Sequence, residues 1–210
     1  MKSVGHSRDE KAASHDRIVE VASARMRESG TTAPGVAEIM KAAGLTHGGF
    51  YKHFDSRDDL VAEAVDKAFT DANRAMASVT KDAADPLAAF VDWYASAAHC
   101  EDPATGCAVG ALASDISRGD ERVRTTYREQ VERYIADLQR LLGGDADARR
   151  RATVALSSLV GAVLVARAVD DKDLSDEILR DVRDAVKSAH VAGGTGQRLQ
   201  TGRPFKRADG

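Results

Sequence analysis

Aromatic residues make up only 5% of this 210-residue chain, proline occurs four times and cysteine twice. With Cys100 and Cys107 alone, a disulfide-stapled secreted scaffold is excluded. No basic segment followed by an apolar one opens the chain, so a cytoplasmic location is expected. An excess of one charge is also lacking, since 30 Lys and Arg stand against 33 Asp and Glu for a net charge of −3. Between Met1 and Val65 nine basic residues face ten acidic ones, so electrostatics alone do not point to nucleic acid. The longest apolar run, Val154 to Ala166, is broken by Ser157, Ser158 and Gly161 and is too short to cross a bilayer comfortably. A buried helix without membrane contact is expected there. No alternating strand pattern occurs.

What is present has the period of the α-helix, which predicts an all-α fold. Met1 to Ala13 read as a loose arm, and a helix is expected from Ser14, with Ile18, Ala22 and Met26 on one stripe up to Gly30. Pro34 suits the opening of a second helix with the stripe Val36, Ile39, Met40 and Ala43, ended by Gly44. Thr46 then caps a short third helix that turns Phe50 and Phe54 inward. Ser56 and Asp59 form a capping box for a fourth helix through Leu60, Ala64 and Phe69. Further helix starts fall at Asp85-Pro86, Gly106-Cys107, Asp120, Asp145 and Ser175. Gly-rich residues 192–210, with Arg198, Arg203, Lys206 and Arg207 against Asp209, carry no apolar stripe and are expected to be a disordered tail.

The informative segment is VAEIMKAAGLTHGGFYKHFDSRDDLVAEA, Val36 to Ala64, in which a helix, a glycine turn and a second short helix form a helix-turn-helix. IMKAAG, the Leu45-Thr46 opening, FYKHF and SRDDLVAEA resemble the TetR family of transcriptional regulators. The resemblance covers residues 14–65. It implies an N-terminal three-helix DNA-binding domain over 14–65, joined to a larger effector-binding and dimerising helical bundle over 66–191. It implies a homodimeric repressor that holds palindromic operator DNA and is released by a small-molecule effector. On the matching positions, Thr46, His47, Gly48 and Gly49 open the recognition helix, and Tyr51, Lys52 and His53 line its phosphate-facing side. One departure is Gly35, where the family commonly has Ser or Thr; Thr31 and Thr32 are the candidates to supply the missing hydroxyl, and failing them the backbone N–H groups at the helix start would hold the phosphate. The alternative is a helical small-molecule-binding or thiol-dependent enzyme-like protein without DNA affinity.

Beyond the motif, Phe90, Trp93, Tyr94 and Tyr127 suit either an apolar effector cavity or plain core packing. Cys107 has two readings, a small buried hydrophobe or a thiolate favoured by the start of a helix and able to sense electrophiles. His99, Cys100 and Cys107 lack the paired spacing of a zinc site, so no metal and no cofactor are expected. No acidic partner, oxyanion loop or phosphate-binding glycine motif accompanies them, so no catalytic residues and no enzyme are expected. The helices over Arg149 to Asp170 and Leu174 to His190 carry apolar faces that need burial; they either complete the core of one chain or, as the resemblance implies, form the dimer interface with a symmetry mate.

Overall fold

Helix α1 runs over Val4–Ser29 in the computed structural model, which describes residues 4–193. The start lies ten residues before the expected Ser14. Residues 8–13 are exposed, so no burial pattern marks them; Arg8, Glu10, Lys11, Ala12 and Ala13 have the propensity to extend the helix there. Of the tail expected over 192–210, residues 194–210 lie outside the described part. Ile18, Ala22 and Met26 are buried as one stripe, and Gly30 ends the helix at φ +86°.

Helix α2 (Val36–Ala42), the 3₁₀ helix η1 (His47–Lys52) and α3 (Arg57–Thr80) follow. Gly44, at φ +74°, reverses the chain between α2 and η1, a conformation that other residues adopt only with strain. The Ser56 hydroxyl accepts the Asp59 N–H at 3.1 Å and so caps α3 as expected. Ile18, Ile39, Met40, Phe50, Phe54 and Leu60 share one buried core. Helix α3 is continuous from this unit into the rest of the molecule, with no linker between them.

The larger part consists of α4 (Pro86–Tyr94), α5 (Ala97–Glu101), α6 (Ala108–Ile116), α7 (Glu121–Leu141), α8 (Ala148–Ala168) and α9 (Lys172–Gly193). Asp85, Ser96 and Asp120 accept the N–H groups of Ala88, His99 and Val123 and cap α4, α5 and α7. Helix α5 was given by no periodicity, being barely one turn long. Helix α9 begins at Lys172 rather than Ser175, because the Asp171 carboxylate accepts the Leu174 N–H at 3.0 Å and starts it earlier. Asparagine-glutamine pairing locks α3 to α7 through Asn73 and Gln130, whose amides bond reciprocally at 3.0 and 2.7 Å.

Contrary to the sequence reading, α8 at 21 residues is long and apolar enough, by length and composition, to cross a membrane. In this fold it packs against α5, α6, α7 and α9 and buries Ala152, Leu156, Leu159 and Val163 in the core. Among the described residues there is no strand.

Candidate nucleic-acid interface

Backbone geometry positions the candidate reading surface. Gly44 and Leu45 donate their N–H groups to the carbonyls of Lys41 and Met40 at 3.0 and 2.8 Å, which closes α2 and turns the chain into η1. Thr46 stands at the start of η1 as expected, yet its hydroxyl makes no capping bond; its carbonyl accepts the Gly49 N–H instead. Phe50 and Phe54 stack at 5.4 Å inside the domain and anchor η1 from beneath. Thr46, His47, Gly48, Tyr51 and Lys52 are thereby left exposed along one short segment. Tyr51, 74% exposed, leans edge-on against Phe50 at 5.2 Å, so a bulky amphipathic ring is presented to solvent by a rigid support.

The two glycines of η1 differ. A side chain at Gly48 would meet nothing within 4 Å, whereas one at Gly49 would make ordinary contact with Met40 at 3.6 Å, so neither position needs glycine for want of space. His53 turns towards α1, with its ring 6.0 Å from that of His15, and its Nδ1 is buried without a partner. Burial, then the neighbouring His15, lowers its pKa. His15 in turn stacks on Phe54 at 4.6 Å and bonds Glu63 of α3 at 2.7 Å. Gly35 opens α2 with no side-chain cap. Thr31 is not the replacement hydroxyl: it is buried, and both its N–H and its hydroxyl are engaged by Asp115. Thr32 remains exposed.

Behind this unit lies an aromatic cluster. Phe90 and Tyr94 of α4 are buried with their rings 5.5 Å apart, and Trp93 is half-buried beside them at 6.1 Å from each. Tyr127 stands apart, half-buried against Phe69, and donates to the Val109 carbonyl at 3.0 Å. Cys107 caps α6: its sulfur accepts the Gly110 N–H at 3.2 Å and the Tyr94 hydroxyl at 2.6 Å. Burial nevertheless raises the thiol's pKa above the ordinary value, against the pull of both bonds. Of the two readings of Cys107, the small buried side chain fits this environment and the readily ionised thiolate does not. Among the described residues, no group of three or more His, Cys, Asp and Glu side chains could hold a metal ion.

His99, weighed in the sequence as a zinc ligand and as a catalytic partner of Cys107, belongs to this cluster. Its ring lies 4.8 Å from Trp93 and 4.9 Å from Tyr94, and its Nε2 is buried without a partner. Arg167 of α8 donates to the carbonyls of His99 and Cys100 at 2.8 and 2.6 Å. Burial first, and the Arg167 charge second, push the His99 pKa down to about 4, with Asp102 opposing.

The folded protein thus keeps His99 neutral where the unfolded chain, with its ordinary value of 6.5, takes up a proton. Stability is full above pH 6.5 and falls as the pH drops from there towards 4, by up to about 3 kcal/mol from this residue. Urea unfolding at pH 7 and pH 5 is expected to show the loss, and His99→Gln to flatten it to the smaller contribution of His53. A wild-type stability independent of pH over this range would refute the assignment.

A recognition segment exposed on a buried aromatic anchor, joined through one continuous helix to a helical body, defines a helix-turn-helix DNA-binding transcriptional regulator. Residues 18–64 match the family model of bacterial regulatory proteins of the tetR family, and residues 83–184 match that of the C-terminal domain of LmrA/YxaF-like transcriptional regulators. The chain belongs to the TetR family. It is 25% identical over 179 residues to the HTH-type transcriptional repressor DhaR of Mycobacterium sp. strain GP1, covering 80% of this chain and 90% of that protein. It is 29% identical over 181 residues to an uncharacterized HTH-type transcriptional regulator of Mycobacterium tuberculosis, covering 80% of this chain and 92% of the relative. A TetR transcriptional regulator from Chloroflexus aurantiacus superposes with a TM-score of 0.75 at 23% identity, covering 86% of this chain and 95% of that one.

Proposed function

We propose that this regulator acts in the cytoplasm as a homodimeric repressor that grips a palindromic operator and lets go when a small effector enters its helical body. The exposed face of η1 supports the reading: Thr46, His47, Gly48 and Tyr51, with the half-buried Gly49 among them, are free to meet base edges and sugar, and Lys52 beside them a phosphate. His53 contributes by bracing η1 against α1. DhaR is named a repressor, which supports the sign of the regulation.

Dimerisation through α8 and α9 is supported by their outward faces. Val154, Leu164, Val165 and Leu174 are 58, 40, 50 and 42% exposed, and a side chain at Gly161 would meet nothing within 4 Å. An apolar strip with a glycine gap suits close approach of a second copy across a twofold axis. Phe90, Trp93, Tyr94, Cys107 and Tyr127 are the candidate walls of the effector site, with α4 and α6 moving apart to admit a small apolar molecule. Since the Cys107 thiol is buried and neutral, release by non-covalent binding is favoured over covalent modification.

Duplexes enriched from a random library by the wild-type protein test the reading. They are expected to contain inverted repeats, and Lys52→Ala is expected to weaken binding to all of them about five- to tenfold. The slope of log affinity against log salt should fall by about one. Unchanged affinity and slope in Lys52→Ala would remove Lys52 from the phosphate backbone, and no enrichment at all would overturn the DNA-binding reading.

A further inference from the structure

The loop of residues 30–35, which joins α1 to α2, is held from two sides. Asp115, next to last in α6, accepts the Thr31 backbone N–H at 2.6 Å and the Thr31 hydroxyl at 3.3 Å through one oxygen. Its other oxygen accepts from Arg118 at 3.1 Å. From the other side Arg57, the first residue of α3, donates to the Thr31 carbonyl and, at 3.4 Å, to the Pro34 carbonyl. Thr31 is therefore bound through its N–H, its hydroxyl and its carbonyl. Gly30 makes room for this. A Cβ there would stand 2.6 Å from the Asp115 carboxylate oxygen, and φ +86° is already a glycine conformation.

These contacts matter because of what lies at either end. The loop leads directly into Gly35, the residue from which α2 starts, and η1 packs on α2 just beyond the Gly44 turn. Helix α6 begins at Cys107, which is bonded to Tyr94 in the aromatic cluster, and ends beside Asp115. Nine residues of α-helix form a stiff rod about 13 Å long, so displacement of its first turn is passed to its last. A short bond from a charged oxygen to a backbone N–H is directional and passes that displacement on to the loop.

We infer that Asp115 is a positioning residue that fixes the orientation of α2 and η1 according to where α6 sits, through the backbone of Thr31. This inference rests on the DNA-binding reading above, but its geometric part is measurable without DNA. Spin labels on Tyr51→Cys of η1 and Arg128→Cys of α7, both exposed positions, report the angle between the two units. Cys100 and Cys107 are buried, and a wild-type control corrects for any labelling of them. Labelled chains are diluted into unlabelled ones so that only distances within one chain are read.

Asp115→Ala is expected to broaden the distance distribution and to weaken binding to an enriched duplex about tenfold, with the salt slope unchanged because no phosphate contact is lost. Asp115→Asn keeps an acceptor oxygen for the Thr31 N–H and should restore most of both. Asp115→Glu keeps charge and acceptor on an arm longer by one methylene, so it should shift the mean distance even if the alanine variant fails to fold. An Asp115→Ala or Asp115→Glu distribution that superimposes on the wild type would overturn the inference, as would Asp115→Asn failing as badly as alanine. If the wild type enriches no duplex, the DNA-binding reading fails while the distances still decide the role of Asp115.

Discussion

Phe50→Ala is expected to destabilise the DNA-binding unit by about 3–5 kcal/mol and to abolish duplex binding at protein concentrations that saturate the wild type. Phe50 is 2% exposed and stacked on Phe54, and it is the one side chain of η1 that is fully inside. A 3₁₀ helix of six residues with two glycines has little stability of its own, so its shape depends on that anchor. The loss is a large fraction of the whole stability of an ordinary domain. Urea unfolding followed by circular dichroism measures it. A cost below about 1 kcal/mol would mean that the segment holds its form without its aromatic footing.

Val165→Glu is expected to turn the proposed dimer into a monomer, halving the mass seen by sedimentation at micromolar concentration while leaving helix content unchanged. Val165 is 50% exposed in the isolated chain, so a carboxylate there costs the monomer little. In a twofold interface it would place two like charges, one from each copy, in an apolar seam, where an unpaired charge is strongly disfavoured. Leu164, the more obvious choice from sequence, is the poorer probe. Its side chain lies 3.3 Å from where a Cβ on Gly110 would stand, so it also packs on α6, and a charge there would damage the monomer as well. A Val165→Glu protein that keeps the dimer mass would move the interface to another surface.

Much of the reading unit was legible because its signals are local. Gly30 and Gly44 adopt positive φ where chain reversals were expected, Ser56 caps α3, and the stripe Ile39, Met40 and Ala43 is buried. The turns before Ser14 were not, since exposed helix leaves no apolar period to read. Thr31 illustrates a second kind of limit. Nothing near it in sequence shows that its hydroxyl and N–H are taken by a carboxylate 84 residues away. His99 illustrates a third, because its neutrality comes from Trp93, Tyr94 and Arg167 closing round it in space. Cys107 was placed correctly at a helix start, but the sign of its pKa shift depended on burial, which spacing does not reveal.

The continuity of α3 has a bearing on how such regulators can be recombined. Because Arg57–Thr80 is one unbroken helix, there is no flexible joint at which the reading head could be cut from its body and grafted onto another. Any splice near 65–66 falls inside helical turns, where each inserted or deleted residue rotates everything beyond it by about 100° and displaces it by about 1.5 Å. A chimera made by joining such parts must therefore conserve helical phase as well as sequence. An insertion that preserves phase adds whole turns, and each turn carries η1 about 5.4 Å farther from the body and from any groove spacing the original assembly was fitted to.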